Sequence, residues 1–186
     1  TYTEKQWGVS TDLPIPGDYD GDGKTDVAVF RPSTARWFIV PSTNPTSYTM
    51  KDWGVGTDIP APGDYDGDGW CDIFLCNLNG SSRLYRNLGG WKFEDVTEAA
   101  GLANTNLLAR GATFADVNGD GKPDLLVSYS GKGVRLFLNQ GAGHFRDAQA
   151  AELVDSTGSM TLALGDVNGD GYLDLYVANY GENTIR

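Results

Sequence analysis

The sequence predicts an all-β fold, a β-propeller built from four-stranded antiparallel sheets, on three observations. An acidic nine-residue pattern occurs four times, and its copies begin 46, 52 and 50 residues apart, at Asp18, Asp64, Asp116 and Asp166. A short apolar run of strand-forming residues follows each copy. Glycine is abundant, with 25 residues in a chain of 186, as in turn-rich β proteins. Repeats of this length that hold several short strands are typical of propeller blades rather than of helical solenoids.

Each copy of the pattern places an oxygen-bearing side chain at positions 1, 3, 5 and 9 and glycine at positions 4 and 6. Carboxylates packed so closely repel one another and therefore need a neutralising partner. Hard oxygen ligands in a flexible loop suit calcium, which takes about six to eight of them, and the glycines supply the positive φ angles that fold such a loop. The pattern is not an EF-hand, because position 12 is an apolar strand residue instead of glutamate.

The apolar runs define a single unit over residues 1–186 with four repeats, at about 8–53, 54–97, 106–148 and 158–186. Residues 6–23 match residues 52–69 at 14 of 18 positions, so a strand at 2–7 is equivalent to the outermost strand of a repeat. The last repeat lacks this strand, and the N-terminal strand completes it. Four four-stranded blades result, and the shared strand hides an open sheet edge. Besides the strand that enters each loop, the predicted strands are 2–7, 26–30, 36–40, 48–53, 73–76, 82–86, 91–96, 124–129, 134–138, 145–148, 174–178 and 183–186.

The Asp-x-[Asp/Asn]-Gly-Asp-Gly-x-x-Asp loops, each followed by an apolar strand, resemble FG-GAP/VCBS repeats over essentially the whole chain. Such repeats build the calcium-binding blades of integrin α-chain propellers and of many bacterial secreted proteins. The resemblance implies up to four Ca²⁺ ions per chain, each held by the side chains at positions 1, 3, 5 and 9 and by the backbone carbonyl of position 7. These residues are Asp18, Asp20, Asp22, Lys24, Asp26, Asp64, Asp66, Asp68, Trp70, Asp72, Asp116, Asn118, Asp120, Lys122, Asp124, Asp166, Asn168, Asp170, Tyr172 and Asp174.

The number of repeats leaves two assemblies open. Propellers of the family that the chain resembles usually have seven or eight blades, whereas this chain encodes four. One molecule could close on itself, or two molecules could pair head to tail into an eight-bladed ring and exchange their N-terminal strands. Blades shaped for a seventh or an eighth of a turn would be strained in a four-bladed ring, so we favour the homodimer with two-fold symmetry.

The repeats also fall into two styles, which meet near residues 69–72. The first half uses Trp-Gly-Val-x-Thr-Asp-x-Pro-x-Pro-Gly-Asp-Tyr before the loop, and the second half pairs a Leu-x-x-Asn segment with a Phe-x-Asp segment. We interpret the change as a junction of two half-propellers from different relatives, engineered or recombined inside the shared motif. A natural array whose repeats diverged unevenly is the alternative.

Charge and composition restrict the partners and the location. The net charge is −11, and the four loops hold 14 of the 25 acidic residues, so the acidity is accounted for locally. The 14 basic residues are scattered, which argues against a nucleic-acid-binding face, and no apolar run approaches the roughly 18 residues of a membrane helix. Loops of this kind usually bind calcium weakly, and the millimolar calcium outside the cell therefore favours an extracellular or periplasmic location. Cys71 and Cys76 are expected to be buried thiols on opposite faces of one strand rather than a disulfide.

No catalytic constellation stands out in the sequence. His144 is the only histidine, no serine or cysteine nucleophile context accompanies it, and a chelated carboxylate cannot act as an acid. We therefore expect a non-enzymatic, calcium-stabilised structural or interaction module, with a protein or glycan ligand left open. The alternatives are a lectin in which tryptophans stack on sugars and a recombined scaffold without a selected ligand. The tryptophans, which could equally pack between sheets, are Trp7, Trp37, Trp53, Trp70 and Trp91.

Overall fold

The computed structural model describes residues 6–103, 107–148 and 159–179. In this part of the chain the regular structure is β-strand, apart from one 3₁₀ turn at Pro32–Thr34. The first sheet comprises β1 (Leu13–Pro14), β2 (Val27–Arg31), β3 (Arg36–Val40) and β4 (Thr49–Asp52), and the second β5 (Asp58–Gly63), β6 (Asp72–Asn77), β7 (Arg83–Asn87) and β8 (Phe93–Asp95). The third comprises β9 (Ala109–Ala115), β10 (Asp124–Tyr129), β11 (Gly133–Gly141) and β12 (His144–Asp147), and the fourth includes β13 (Ser159–Gly165) and β14 (Asp174–Asn179).

Each sheet is an antiparallel meander whose strands lie in chain order. The second, third and fourth sheets meet mainly through their first strands: β9 packs against β5 on one side and against β13 on the other. This is the blade arrangement of a β-propeller, with the first strand of each sheet innermost and the fourth outermost. The fold class predicted from the sequence is therefore confirmed. The strands at 36–40 and 124–129 have the predicted bounds, whereas β11 begins one residue before and ends three residues after the predicted 134–138.

Two predicted strands fall wholly or mostly outside the described residues. They are the N-terminal strand at 2–7, of which only residues 6 and 7 are described and belong to no strand, and the final strand at 183–186. The completion of the last blade by the N-terminal strand, and the choice between a closed monomer and a dimeric ring, therefore stay predictions.

The second sheet is buried on both faces. Because successive side chains of a strand point to opposite faces, β6 sends alternate residues towards the first sheet and towards the third. The cluster shared with the first sheet includes Ala28, Phe30, Trp37, Ile39, Cys71, Ile73 and Leu75. The cluster shared with the third includes Phe74, Cys76, Leu84, Leu125, Val127 and Phe137.

The two cysteines lie on opposite sides of this sheet, as predicted. Cys71 belongs to the cluster with the first sheet and Cys76 to the cluster with the third, and both are buried free thiols. Burial raises the pKa of the Cys71 thiol to about 12 and also raises the pKa of Cys76. Both side chains are therefore protonated hydrophobic packing groups at neutral pH.

Tryptophan side chains pack between the first sheet and the second. Trp37 is fully buried, and its ring centroid lies 5.4 Å from that of Trp53, whose ring in turn stacks 4.9 Å from Phe93 of the second sheet. Trp91 stacks on Tyr19 of the first loop at 5.6 Å. These tryptophans therefore pack between the sheets, and Trp53 and Trp91 keep part of their surface exposed.

Candidate metal sites in the strand-connecting loops

All twenty predicted site residues lie in the loops that join the first and second strands of the sheets. The loops are β1–β2, β5–β6, β9–β10 and β13–β14, and each second strand begins at or directly after the position-9 aspartate. In the first sheet Asp26 pairs with Gly17 in a bridge that closes the loop. The same acidic loop thus occupies the equivalent corner of every blade.

The position-1 aspartate organises the turn of each loop. In the first loop one carboxylate oxygen of Asp18 accepts the Gly21 N–H at 2.7 Å, and the other accepts the Gly23 N–H at 2.7 Å. The same two bonds recur in the other loops, at Asp64, Asp116 and Asp166. Both glycines need positive φ, 74° and 80° in the first loop, a conformation that glycine adopts without steric cost.

The position-9 aspartate connects the loop to the sheet behind it. Asp72 is fully buried, and its two oxygens accept the N–H groups of Tyr65, within the loop, and Asn87, at the end of β7. Burial raises the pKa of Asp72 to about 8. Asp26 and Asp124 make the same two kinds of hydrogen bond, and burial raises the pKa of both carboxyls. These carboxyl groups are fixed acceptors of the fold rather than free acids.

Carboxylates converge in the first and second loops. Oxygens of Asp18, Asp20 and Asp22 lie within 4.8 Å of one another, and so do oxygens of Asp64, Asp66 and Asp72. In the first loop one oxygen of Asp20 is buried and has no hydrogen-bond partner. A buried carboxylate oxygen without a donor is unfavourable unless a cation satisfies it. The first loop therefore fits a hard cation such as Ca²⁺.

The third and fourth loops have the same backbone design with one fewer carboxylate. Asn118 and Asn168 stand at position 3, and each accepts the N–H of the position-5 aspartate at 2.9 Å. In the third loop the Lys122 ammonium lies 3.0 Å from Asp120 and lowers the pKa of that carboxyl. In all four loops the position-7 residue donates its N–H to the position-5 aspartate.

The first loop is surrounded by neutral hydroxyl donors. Ser42 donates its hydroxyl to Asp22 at 2.6 Å, and Thr43 donates to Asp20 at 2.5 Å. The bond from Ser42 is the main cause that lowers the pKa of Asp22. Lys24 reaches Asp22 at 3.5 Å, but its side chain is 74% exposed. This loop thus lacks a closely held positive charge among the residues described.

The second loop holds a guanidinium instead. Arg86 Nε lies 2.6 Å from Asp66, and its Nη2 donates to Asp68 at 2.9 Å. Arg86, Ser42 and Thr43 were not among the predicted site residues. All three lie at the end of the third strand or just after it, about twenty residues from the carboxylates that they contact. Aligning the third strands of the repeats would have marked them as neighbours of the loop.

An aromatic cleft of about 410 Å³ lies between the outer strands of the first two sheets. Its lining combines aromatic rings with charged side chains and comprises Lys51, Asp52, Trp53, Trp91, Lys92 and Phe93.

His144, on the outermost strand β12, is exposed and contacts the Ala99 carbonyl at 2.9 Å. In the described part of the chain, no helix has the length and apolar character needed to cross a membrane.

The fold and the loops together define a β-propeller with an acidic connection in every blade. Residues 64–127 and 116–177 match the FG-GAP-like repeat, and together these segments cover more than half of the chain. The chain belongs to the FG-GAP-like repeat family, as the loop motif suggested.

Two further comparisons agree with this assignment. Cartilage acidic protein 1 of Mus musculus is 31% identical over 111 residues, which are 58% of this chain and 17% of that protein. The Homo sapiens and Xenopus tropicalis proteins of that name match equally. A solved structure of an Agrocybe aegerita lectin, which specifically recognises non-reducing terminal N-acetylglucosamine, superposes with a TM-score of 0.55 at 22% identity. That match covers 91% of this chain and 46% of the lectin chain, and it shows a common fold.

Proposed function

We propose that this protein is a non-enzymatic structural or interaction module whose blades are stabilised by calcium. The observation that carries the proposal is the first loop, where three carboxylates converge within 4.8 Å and one Asp20 oxygen is buried without a donor. A Ca²⁺ ion would be held there by Asp18, Asp20, Asp22 and Asp26, with the Lys24 carbonyl as a further oxygen ligand. The ion would offset the repulsion among the carboxylates.

Calcium binding of this kind is linked to folding. The loop brings its ligands together only in the folded state, so an ion that binds the folded protein stabilises it against unfolding. In the first three loops the position-9 aspartate already ties the loop to the end of the third strand, and an ion would fix the remaining carboxylates to the same point. We place the module outside the cytoplasm, where calcium is high enough to fill weak sites.

The test is thermal unfolding in calcium and in excess chelator, followed by circular dichroism. We expect a higher Tm in calcium, and we expect Asp20→Asn to reduce the difference. Asp52→Asn is the matched control, because Asp52 is an exposed aspartate that pairs with Arg36 outside the loops. Identical unfolding curves of the wild-type protein in calcium and in chelator would overturn the proposal.

A lectin is the second candidate, supported by the fold shared with the N-acetylglucosamine-recognising lectin and by the aromatic cleft of about 410 Å³ between the first two sheets. Sugar rings stack on aromatic faces, and Lys51, Asp52 and Lys92 could bind hydroxyl groups at the rim. A glycan array probed in calcium would test this candidate. The lectin is supported if the protein binds N-acetylglucosamine-terminated glycans and the Lys92→Ala variant does not. It is contradicted if the protein binds no glycan on the array.

We also propose that two copies associate head to tail. Apolar side chains are exposed on the faces of the first and fourth sheets that would meet a neighbouring blade, with Val27 40%, Met50 51% and Tyr176 68% exposed. Beside the first of these faces, Trp7, Phe38 and Tyr48 line a hollow of about 230 Å³. A second copy would cover both faces and relieve the strain of a four-bladed ring.

Light scattering after size exclusion tests the association. We expect twice the 20.0 kDa of one chain, and we expect Met50→Lys to lower the mass to that of one chain. Leu88→Lys, at an exposed apolar residue in the turn between β7 and β8, should leave the dimer intact. A wild-type mass of one chain would overturn the dimer.

The two styles of repeat support a further proposal, that the chain joins two half-propellers of different ancestry near residues 69–72. The segments matching the FG-GAP-like repeat begin at residue 64 and leave out the first loop. A natural homologue that spans residues 40–110 in a single style would contradict the junction.

A further inference from the structure

We propose that Arg86 is a built-in counter-ion of the second loop, so that this loop folds without calcium while the first loop binds an ion. The inference rests on the proposed calcium function and limits it to particular loops. It follows from one side chain, that of Arg86, whose charge is absent from the equivalent residues of the first and third repeats.

The register of the sheets places Arg86 at a position that is equivalent to uncharged residues in the first and third repeats. In the first three sheets the residue after position 9 pairs with Val40, Tyr85 and Phe137 of the third strand, respectively. The next residue along that strand is therefore Pro41 in the first sheet, Arg86 in the second and Leu138 in the third. Among the described repeats, only the second thus directs a cation into its loop from the third strand.

The contacts of the guanidinium show that it acts on the carboxylates that would bind an ion. It contacts positions 3 and 5: Nε lies 2.6 Å from Asp66 as an ion pair without hydrogen-bond geometry, and Nη2 donates a hydrogen bond to Asp68 at 2.9 Å. A planar guanidinium with several donors suits two carboxylates held side by side. The side chains of Asp66 and Asp68 are 9% and 28% exposed and that of Arg86 is 41% exposed, so the carboxylates are shielded more than the guanidinium and solvent screens the pairs in part.

The two loops differ in which carboxylates converge. In the first loop the converging oxygens belong to positions 1, 3 and 5, whereas in the second they belong to positions 1, 3 and 9. The position-5 aspartate of the second loop, Asp68, is instead held by Arg86. In the first loop the equivalent carboxylates accept neutral hydroxyls, and Asp20 keeps an oxygen without a partner. The first loop has no guanidinium at this place, and its own cation, Lys24, is 74% exposed and reaches Asp22 only at 3.5 Å.

The experiment counts bound calcium in the full chain, by equilibrium dialysis at about 1 mM free calcium followed by elemental analysis. Asp20→Asn and Asp66→Asn remove the same motif position from the first and second loops. We expect Asp20→Asn to lose about one ion per chain and Asp66→Asn to lose none. Loss of an ion in Asp66→Asn would overturn the inference and leave the calcium function intact.

Arg86→Met provides the converse test. It should gain about one ion per chain, which Asp66→Asn should then remove from the Arg86→Met background. In chelator Arg86→Met should unfold at a lower temperature than the wild-type protein, and calcium should restore most of the difference. Arg83→Met is the matched control, because Arg83 lies on the same strand and pairs with Asp95 at 3.1 Å, outside the loop.

The outcomes separate this inference from the function on which it rests. An Arg86→Met protein that folds but gains no ion would overturn the role of Arg86. If Arg86→Met does not fold, the comparison of Asp20→Asn with Asp66→Asn in the wild-type chain still shows whether the second loop binds calcium. A wild-type chain that binds no calcium at all would overturn the proposed function itself.

Discussion

Residues 6–23 of the first repeat and residues 52–69 of the second are identical at 14 of 18 positions, and both loops fold with nearly the same backbone hydrogen bonds. Their electrostatic surroundings nevertheless differ. In the first repeat Asp12 binds Arg31 through two bonds of 2.8 Å. In the second, Asn77 takes the place of Arg31, and one oxygen of Asp58 is buried without a hydrogen-bond partner.

Arg86 is the second difference, because Pro41 takes its place in the first repeat. Both differences come from strands outside the repeated segment, one from the second strand and one from the third. The comparison teaches that the motif fixes the backbone of the loop, whereas residues on later strands decide its charge balance.

Gly21 and Gly67 occupy the same motif position with φ of 74° and 79°, but only Gly21 meets a neighbouring blade. A Cβ atom at Gly21 would lie 2.6 Å from the Trp70 ring, whereas one at Gly67 would have no neighbour within 4 Å. Gly67→Ala should lower the free energy of unfolding by about 1 kcal/mol through backbone strain, and Gly21→Ala by about 3 kcal/mol because overpacking adds to it. Urea unfolding in calcium measures both. Equal losses would show that Trp70 moves aside freely.

Gly63 is expected to tolerate alanine less well than the equivalent Gly165 of the fourth repeat. A Cβ atom at Gly63 would lie 2.7 Å from the Phe114 ring of the third sheet, whereas one at Gly165 would have no neighbour within 4 Å among the described residues of the same chain. Gly63→Ala should lower the free energy of unfolding by about 2 kcal/mol. In the Met50→Lys background, where no second copy covers the fourth sheet, Gly165→Ala should change it by less than about 0.5 kcal/mol. The same unfolding assay applies, and a large loss in Gly165→Ala would contradict the packing argument.

The acid pH dependence should have opposite signs for Asp12 and Asp58. The hydrogen bond from Arg31 lowers the pKa of Asp12, so its stabilisation is full above the unfolded pKa and is lost as the pH falls through the folded value. Burial raises the pKa of Asp58, so its carboxylate destabilises the fold at neutral pH, and protonation removes that penalty as the pH falls through the raised value.

Unfolding curves of Asp12→Asn, Asp58→Asn and the wild-type protein, from neutral pH to about pH 3, test this contrast. The advantage of the wild-type protein over Asp12→Asn should shrink as the pH falls. The stability of the wild-type protein relative to Asp58→Asn should instead rise. If the stability difference from the wild-type protein changed in the same direction for both variants, the ion pair of Asp12 with Arg31 and the burial of Asp58 would not have the opposite effects expected here.

Much of the fold and the position of the candidate sites could be predicted from the sequence, because both depend on short segments. The apolar runs after each loop become β2, β6, β10 and β14, since strand formation follows from alternation and β-forming residues within a few positions. The glycines at positions 4 and 6 fix the turn in the same local way. The opposite orientations of Cys71 and Cys76 follow from the two-residue period of a strand.

The partners of the loops could not be predicted, because they come from residues distant in the chain. Arg86 reaches Asp66 only when β7 pairs with β6 in one register, and a shift by one residue would turn its side chain to the other face. The contact of Gly21 with Trp70 likewise depends on how two blades pack, since the residues are almost fifty positions apart.

By itself, then, the sequence determined that the chain is all-β, that it repeats a blade four times and that each blade carries an acidic turn. These properties depend on local φ preferences and on the periodicity of side chains. The tertiary structure decided which turn receives a guanidinium, which carboxylate is left without a donor and which glycines touch a neighbouring blade. Those features depend on strand register and blade packing, which bring distant residues within a few ångströms.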